Sequence, residues 1–295
     1  MLPDLRQACA TLELVSSDAS IVRDCEYVFI VAPQFAVEDI YAKIEPYITP
    51  QHKIILVPGC ASVHEWAQNP WWRKAKLMVS QKVAYISRSL VYGREIAVKG
   101  SRPTHMLWCA DSEEFEPTAA FLRRMLDADV QQIKTELSFL LSNSNPLLHP
   151  SRMCVLFKGW KSGVIYPRNF LFYQEWTEES SDLYIAADKD LADICRQCPD
   201  IRFGKDYISV LEYYESTDAV SLTRKISGIK AFQGITSPMK SIGENRWIPD
   251  LDSRYFTEDI PMGMAKICNF AKNLGVATPT LDYFVHWHAD MMCFK

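Results

Sequence analysis

The sequence predicts an α/β domain with a mainly parallel sheet, followed by an all-helical domain. In the first third of the chain, short apolar runs such as Tyr27–Val31 and Lys53–Val57 alternate with segments of helical periodicity, and this alternation is typical of βαβ units. From about residue 135, helical periodicity dominates and β-branched runs become rare. We therefore predict two domains, at residues 1–135 and 136–295.

The same periodicities predict the individual elements. After Pro33, apolar residues recur at helical spacing, which predicts a helix directly after the first strand. Further helices are predicted over Phe115–Leu126 and, with about five turns, over residues 177–198. A last one is predicted to start at Pro261 and to be capped by Gly275. Shorter strands are predicted at Thr11–Ser16, Glu95–Val98 and Met106–Cys109.

The composition excludes several classes of partner. The chain has 32 basic and 36 acidic residues and a net charge of -4; it lacks the basic excess that phosphate backbones attract, and we expect no nucleic-acid partner. No run approaches the ~20 apolar residues needed to cross a bilayer. The N-terminus carries Pro3, Asp4 and Arg6 instead of an apolar signal core. We expect a cytoplasmic protein without a membrane partner.

Cysteine and histidine patterns predict no metal site. The nine cysteines are scattered along a chain without an export signal, which favours reduced thiols. Cys195 and Cys198 form the only closely spaced pair, and without a second pair the evidence for zinc is weak. His286 and His288 point to different sides of a helix.

The segment Asn143–Pro150, with the sequence Asn-Ser-Asn-Pro-Leu-Leu-His-Pro, concentrates polar side chains between prolines. It predicts a rigid turn that presents His149. A histidine can act as acid or base near neutral pH, because its unperturbed pKa is about 6.5. The alternative is that Asn143 and Asn145 cap the turn and that His149 is an ordinary surface residue.

The segment Arg254–Pro261 places an arginine and two acids at the predicted start of the last helix. The exposed N–H groups of a helix start favour an ionised carboxylate, so Asp259 could orient and stabilise a protonated histidine. Arg254 offers a planar fork that matches a carboxylate. The alternative is a capped helix with a surface Arg-Asp pair.

Together, the two segments resemble the paired signatures of the octopine and nopaline dehydrogenase family of opine dehydrogenases. The family pattern is Asn-x-Asn-Pro-x-x-His-Pro, followed later by Arg-Tyr-x-x-Glu-Asp-x-Pro-x-Gly, which ends here at Gly263. The similarity continues through Phe172-Tyr173 and covers most of residues 27–290.

The resemblance implies a Rossmann-type domain that binds NAD or NADP, followed by a helical domain that binds the amino acid. It implies that His149 is the catalytic histidine, that Asp259 is its carboxylate partner and that Arg254 holds a substrate carboxylate. Asn145 and Tyr85 are further substrate-binding candidates. The implied partners are an amino acid and a 2-oxo acid, which are joined by reduction, and a homodimer is among the assemblies left open.

The chain departs from the family pattern at its N-terminus. The family opens with a first strand and a Gly-x-Gly-x-x-Gly turn that cradles the pyrophosphate, and no such triplet of glycines occurs in residues 1–295. We therefore expect the N-terminal part of the Rossmann-type domain to be missing. Pro33, Pro58 and Gly59, at the ends of the first two predicted strands, would then form only one wall of the cofactor site.

A second departure lies in the predicted loop Lys82–Arg88. Lys82 and Ser87 replace a threonine and a cysteine of the family pattern, whereas Tyr85 is retained. Contacts with the substrate or the cofactor in this loop are therefore expected to differ from those of the family.

Two other functions remain open. The missing glycine turn favours a truncated, non-catalytic relative that binds a small molecule or a partner. A 2-hydroxy-acid or sugar-acid dehydrogenase is the alternative among enzymes, because related helical second domains serve those substrates. The pairing of the His149 segment with the Arg254–Pro261 segment argues against this alternative.

We predict weak or undetectable binding of NADH and NADPH, because the pyrophosphate lacks the glycine N–H groups and the helix N-terminus that normally hold it. Fluorescence titration of the purified chain with each cofactor measures this affinity. A micromolar dissociation constant for either cofactor would contradict the prediction.

Overall fold

The computed structural model describes residues 9–141 and 145–295, and the chain divides into two compact units. The first unit contains the described part of residues 1–59 together with residues 63–136. The second contains residues 60–62 and the described part of 137–295. The predicted fold class, an α/β sheet followed by a helical region, is confirmed.

The first unit is built on a five-stranded sheet with the strand order β1-β2-β3-β6-β7. Its first three strands are parallel, β6 runs antiparallel to β3, and β7 is parallel to β6. Two further strands, β4 and β5, form a separate hairpin between β3 and β6. The strands are β1 (Tyr27–Val31), β2 (Lys53–Val57), β3 (Lys76–Ser80), β4 (Tyr85–Val91), β5 (Glu95–Ser101), β6 (Thr104–Cys109) and β7 (Asp129–Gln132).

Helices cover the sheet because their apolar stripes need a partner surface. The helices of this unit are α1 (Gln34–Ile44), α2 (Val63–Gln68) and α3 (Phe115–Leu126), with short 3-10 segments at Ala19–Asp24, Glu45–Tyr47, Pro70–Lys74 and Ser112–Glu114. The predicted stripe of α3 buries Phe115, Ala119 and Leu122 in a cluster with strand residues. Trp72 is 1% exposed and its ring stacks 4.0 Å from that of Tyr41, so it is a buried anchor.

Two predictions for the first unit are wrong. Residues 11–16 form no strand, and Leu12 and Leu14 remain 74% and 67% exposed. A β-like local pattern needs a neighbouring strand for its backbone groups, and this segment pairs with none in the described part of the chain. The segment Lys82–Arg88, which we predicted to be a loop, enters strand β4 at Tyr85.

The second unit is a helical assembly around one apolar core. Helix α6 packs against α5, α8 and α11. The helices are α4 (Leu137–Leu141), α5 (Asn145–Leu156), α6 (Glu178–Arg196), α7 (Val210–Tyr213), α8 (Ala219–Gly228), α9 (Arg254–Thr257), α10 (Ala265–Asn273) and α11 (Pro279–Met292), with a 3-10 turn at Lys230–Phe232 and a hairpin of β8 (Met239–Gly243) and β9 (Arg246–Pro249).

Two predicted helices of this unit have a cap in the structure. Helix α6, Glu178–Arg196, lies within the predicted range 177–198, and the Thr177 side chain caps its start by accepting a hydrogen bond from the backbone N–H of Ser180. Gly275 follows α10 with a φ of +69°. The next residue, Val276, donates its N–H to the Ala271 carbonyl at 2.9 Å, which closes a Schellman motif.

The predicted helix start at Pro261 is wrong, because the helical chain begins at Arg254 with α9. Between α9 and α10 lies a π-helical turn, Asp259–Met264. Proline lacks the N–H that an α-helix interior needs, and the wider π turn accommodates Pro261 directly before α10. This turn packs against α5.

We predict that Gly263→Ala destabilises the chain by about 1–3 kcal/mol, the usual cost of overpacking. A Cβ on Gly263 would lie 2.6 Å from Cγ of Pro146, and a proline ring cannot swing away. Gly228→Ala is the matched control, because a Cβ there meets nothing within 4 Å. Chemical denaturation measures both variants; equal stabilities of the two would contradict this packing.

Candidate active site

Helix α5 carries His149 into the interior of the second unit. We predicted a rigid turn here, and that prediction is wrong, since residues 145–156 form a helix with Pro150 inside it. Burial of Leu147, Leu148 and Met153 outweighs the local turn signals. His149 is 8% exposed, so the alternative of a surface histidine is also wrong. Asn143 lies outside the described residues.

His149 and Asp259 form a close pair. Nδ1 of His149 lies 2.7 Å from Oδ2 of Asp259, although 110 positions separate the two residues. Their side chains are only 10% and 16% exposed, so water screens the contact little. Because a carboxylate can only accept, it selects the tautomer with the proton on Nδ1.

The other ring nitrogen of His149 contacts Tyr173. Nε2 lies 3.0 Å from the Tyr173 hydroxyl oxygen. Burial raises the pKa of Tyr173, and the neighbouring Tyr255 and Asp259 add to this shift. Tyr173 therefore stays protonated and donates to Nε2 of the neutral ring. The ring of Tyr255 covers the imidazole, with centroids 4.4 Å apart.

Arg152 holds the turn that carries Tyr173. It follows His149 by three positions and therefore lies on the same side of α5. Its Nε donates to the backbone carbonyl of Phe172 at 3.2 Å, and the residue is 4% exposed. Burial lowers the pKa of Arg152 to about 10, which leaves it charged at neutral pH.

Arg254 lies at the start of α9, one position before Tyr255. Its Nε forms an ion pair with Glu258, so the expected alternative of a pair with an aspartate is wrong. Glu258 is the largest cause of the raised pKa of Arg254, and Asp259 contributes further. The Arg254 side chain is 68% exposed and can reach a dissolved ligand.

Asn145, the other candidate of this unit, is the first residue of α5 and is exposed. It stands four positions before His149, so both belong to the same helix face. The second unit thus brings together His149, Asp259 and Arg254, with Asn145 one turn away.

The remaining candidates belong to the first unit. Pro33 is the N-cap of α1, two positions after the end of β1, and Pro58, with a cis peptide bond, directly follows β2. The N–H of Gly59 donates to the Ser80 carbonyl at 2.8 Å. Tyr85 opens the exposed strand β4 and is 42% exposed. Both prolines lie at the carboxyl edge of neighbouring parallel strands, where α/β sheets bind dinucleotides.

Some classes of site are absent from the described part of the chain. Residues 9–141 and 145–295 contain no cluster of three or more histidine, cysteine or acidic side chains that could hold a metal ion. The described helices include none with the length and apolar character of a membrane span.

A mainly parallel α/β sheet is an architecture in which dinucleotides bind at the carboxyl edge of the strands, and the helical unit adds a buried histidine–carboxylate pair suited to acid–base catalysis. The family model for the NAD/NADP octopine/nopaline dehydrogenase alpha-helical domain matches residues 115–292, more than half of the chain. The chain therefore belongs to the octopine and nopaline dehydrogenase family, and the resemblance inferred from the sequence is confirmed.

Individual relatives agree with this assignment. Octopine dehydrogenase of Pecten maximus is 26% identical over 292 residues, which cover 93% of this chain and 72% of that protein. A structure of octopine dehydrogenase with NADH and L-arginine has a TM-score of 0.78 at 23% identity and covers 96% of this chain and 73% of its own. A structure with NADH and pyruvate has the same TM-score at 22% identity, with 95% and 72% covered. At these identities the structures support the fold.

Sequence reasoning gave no role to Tyr173 or Arg152. Tyr173 was part of the recognised Phe172-Tyr173 pair, but no spacing links it to His149. Arg152 could have been found from its spacing of three from His149, had the segment been predicted as a helix.

Proposed function

We propose that the chain is an opine dehydrogenase, which joins an amino acid to a 2-oxo acid by reductive condensation with NADH or NADPH. The observation that carries this proposal is His149, held between Asp259 at 2.7 Å and Tyr173 at 3.0 Å. We further propose residues 1–135 as the cofactor domain and 136–295 as the substrate domain.

The condensation step needs an acid. The uncharged amino group adds to the keto carbon, and the resulting carbinolamine loses water to form an iminium ion once its hydroxyl group is protonated. We assign that proton to Nε2 of His149. Asp259, which accepts from Nδ1–H, stabilises the imidazolium form that carries it.

The residues at the carboxyl edge of the sheet fit a dinucleotide. Two parallel strands end side by side at Val31 and Val57, shortly before Pro33 and Pro58. Gly59 leaves the backbone accessible because it has no side chain. Pro33, Pro58 and Gly59 would hold part of the cofactor. When bound, NADH or NADPH supplies the hydride that reduces the iminium carbon.

Arg254 is proposed to bind a substrate carboxylate, because its exposed guanidinium can offer two parallel hydrogen bonds. Asn145 and Tyr85 are proposed as additional polar contacts to the substrates. The solved octopine dehydrogenase complexes with L-arginine and with pyruvate support an amino acid and a 2-oxo acid as the substrate classes.

The direct test is an incubation of the chain with L-arginine, pyruvate and NADH or NADPH at a concentration high enough to compensate for the weak cofactor binding predicted from the sequence. We expect mass spectrometry to detect the secondary-amine product and to find none when the amino acid is omitted. Consumption of NADH with pyruvate alone would instead support a 2-hydroxy-acid dehydrogenase and contradict the proposal.

His149 and Asp259 are predicted to act as one catalytic unit. His149→Ala and Asp259→Asn should each lower kcat by at least roughly a hundredfold, and the double variant should be little worse than the worse single variant. His286→Ala is the control, because His286 is exposed on α11 and, among the described residues, contacts the Asp282 carbonyl of its own helix and no other hydrogen-bonding group. Losses that multiply in the double variant would contradict a shared role.

Arg254→Lys is predicted to raise KM for a carboxylate substrate by about tenfold with a smaller effect on kcat, since lysine keeps the charge but loses the fork. Arg168→Lys is the matched control, because Arg168 is also exposed and also pairs with a glutamate, Glu175. Steady-state kinetics with each substrate varied measures the effect. Unchanged KM values for both substrates would remove Arg254 from the site.

A further inference from the structure

The neck of the β4–β5 hairpin, where the chain enters and leaves the two strands, carries basic side chains from two chain segments. The outgoing segment, residues 81–84, lies beside the returning segment, residues 102–106. The N–H of Gln81 donates to the Met106 carbonyl at 2.9 Å, and the N–H of Arg102 donates to the Ala84 carbonyl at 3.3 Å. Lys82 therefore lies between two backbone contacts that join its segment to the one carrying Arg102.

The described part of the protein does not pair every hydrogen-bond donor of Arg102. Its Nε is buried and has no hydrogen-bond partner among the described residues. A buried guanidinium N–H without an acceptor costs free energy. Such groups are rare in native proteins, and a water, an ion or a ligand commonly completes them.

Lys82 adds a second positive charge at this neck. The residue reaches solvent, yet desolvation and the nearby charge of Arg102 lower the pKa of its ammonium group. Burial and Arg102 also lower the pKa of His105, which is 5% exposed and bonds the backbone of Arg102. In the described chain, no Asp or Glu forms an ion pair with any of these three residues.

We infer that Lys82 and Arg102, supported by His105, form an anion-binding site that takes a carboxylate or phosphate group of a small-molecule ligand. Two like charges held together without a counter-ion repel each other, and an oxyanion between them would relieve the repulsion and accept the orphaned N–H. Lys82 is also a departure from the family pattern, so this site belongs to the specificity of this chain.

This inference rests on the proposed function for the identity of the ligand, and one oxyanion could come from two sources. It is either the second carboxylate of a dicarboxylic substrate, such as a dicarboxylic 2-oxo acid, or a phosphate of the cofactor. Binding measurements test the site itself, and kinetics distinguishes the sources.

Isothermal titration calorimetry with inorganic phosphate and with glutarate, at low ionic strength, tests binding without turnover. We expect saturable binding of at least one probe, weakened at least about tenfold in Lys82→Met and in Arg102→Gln. Lys43→Met, which removes an exposed lysine from α1, should bind like the unmodified chain. Circular dichroism shows whether each variant folds. If Arg102→Gln fails to fold, the test is decided by Lys82→Met, because Lys82 is exposed and its replacement leaves the core unchanged.

The kinetic arm compares 2-oxoglutarate with pyruvate and NADPH with NADH. If Lys82→Met raises KM for 2-oxoglutarate alone, the site binds a substrate carboxylate; if it raises KM for NADPH alone, the site binds a cofactor phosphate. Absence of saturable binding to either probe, binding by the folded Lys82 and Arg102 variants as tight as that of the unmodified chain, or unchanged KM values in an active enzyme would each overturn the inference. A chain that binds the probes but forms no product would refute the proposed function and leave the anion site intact.

Discussion

The close packing of α5 against the π-helical turn sets the geometry of the histidine site. Gly263 approaches Pro146 so closely that a side chain at position 263 would collide with the proline ring. The same two elements carry Asp259 and His149, whose contact spans 110 positions of the chain. Tyr173 contacts His149 on α5, and Arg152, which is itself on α5, contacts the Phe172 carbonyl. The position of this helix therefore determines the whole polar cluster.

Local periodicity predicted those strands and helices in which the apolar residues of the sequence pattern are the residues that the fold buries. Strands Tyr27–Val31 and Lys53–Val57 and helix Phe115–Leu126 have the predicted bounds, because each presents one continuous apolar surface to the sheet core. Residues 11–16 show a similar local pattern without a pairing partner, and a single sequence holds no signal for that partner. The π turn escaped prediction for a related reason, since proline marks both a helix start and an irregular helix interior.

The site residues were identified by resemblance, and their arrangement by the structure. His149, Asp259 and Arg254 were named in advance. The burial of His149 depends on α5, a helix that its prolines concealed, and the pairing of Arg254 with Glu258 depends on the short helix α9, which was not predicted. Tyr173 lies 24 positions from His149 on a turn without regular structure, so no periodicity could connect the two. Lys82 was visible only as a departure from a pattern; its proximity to Arg102 follows from the hairpin, which brings distant segments together.

The hydroxyl of Tyr173 can exchange its hydrogen-bonding role with His149. Towards the neutral ring it donates to Nε2, and towards the imidazolium it accepts from Nε2–H through an oxygen lone pair. Asp259 accepts from Nδ1–H in both cases. Neither protonation state therefore leaves a buried nitrogen without a partner. The imidazole can gain and lose a proton while every neighbouring heavy atom keeps its place.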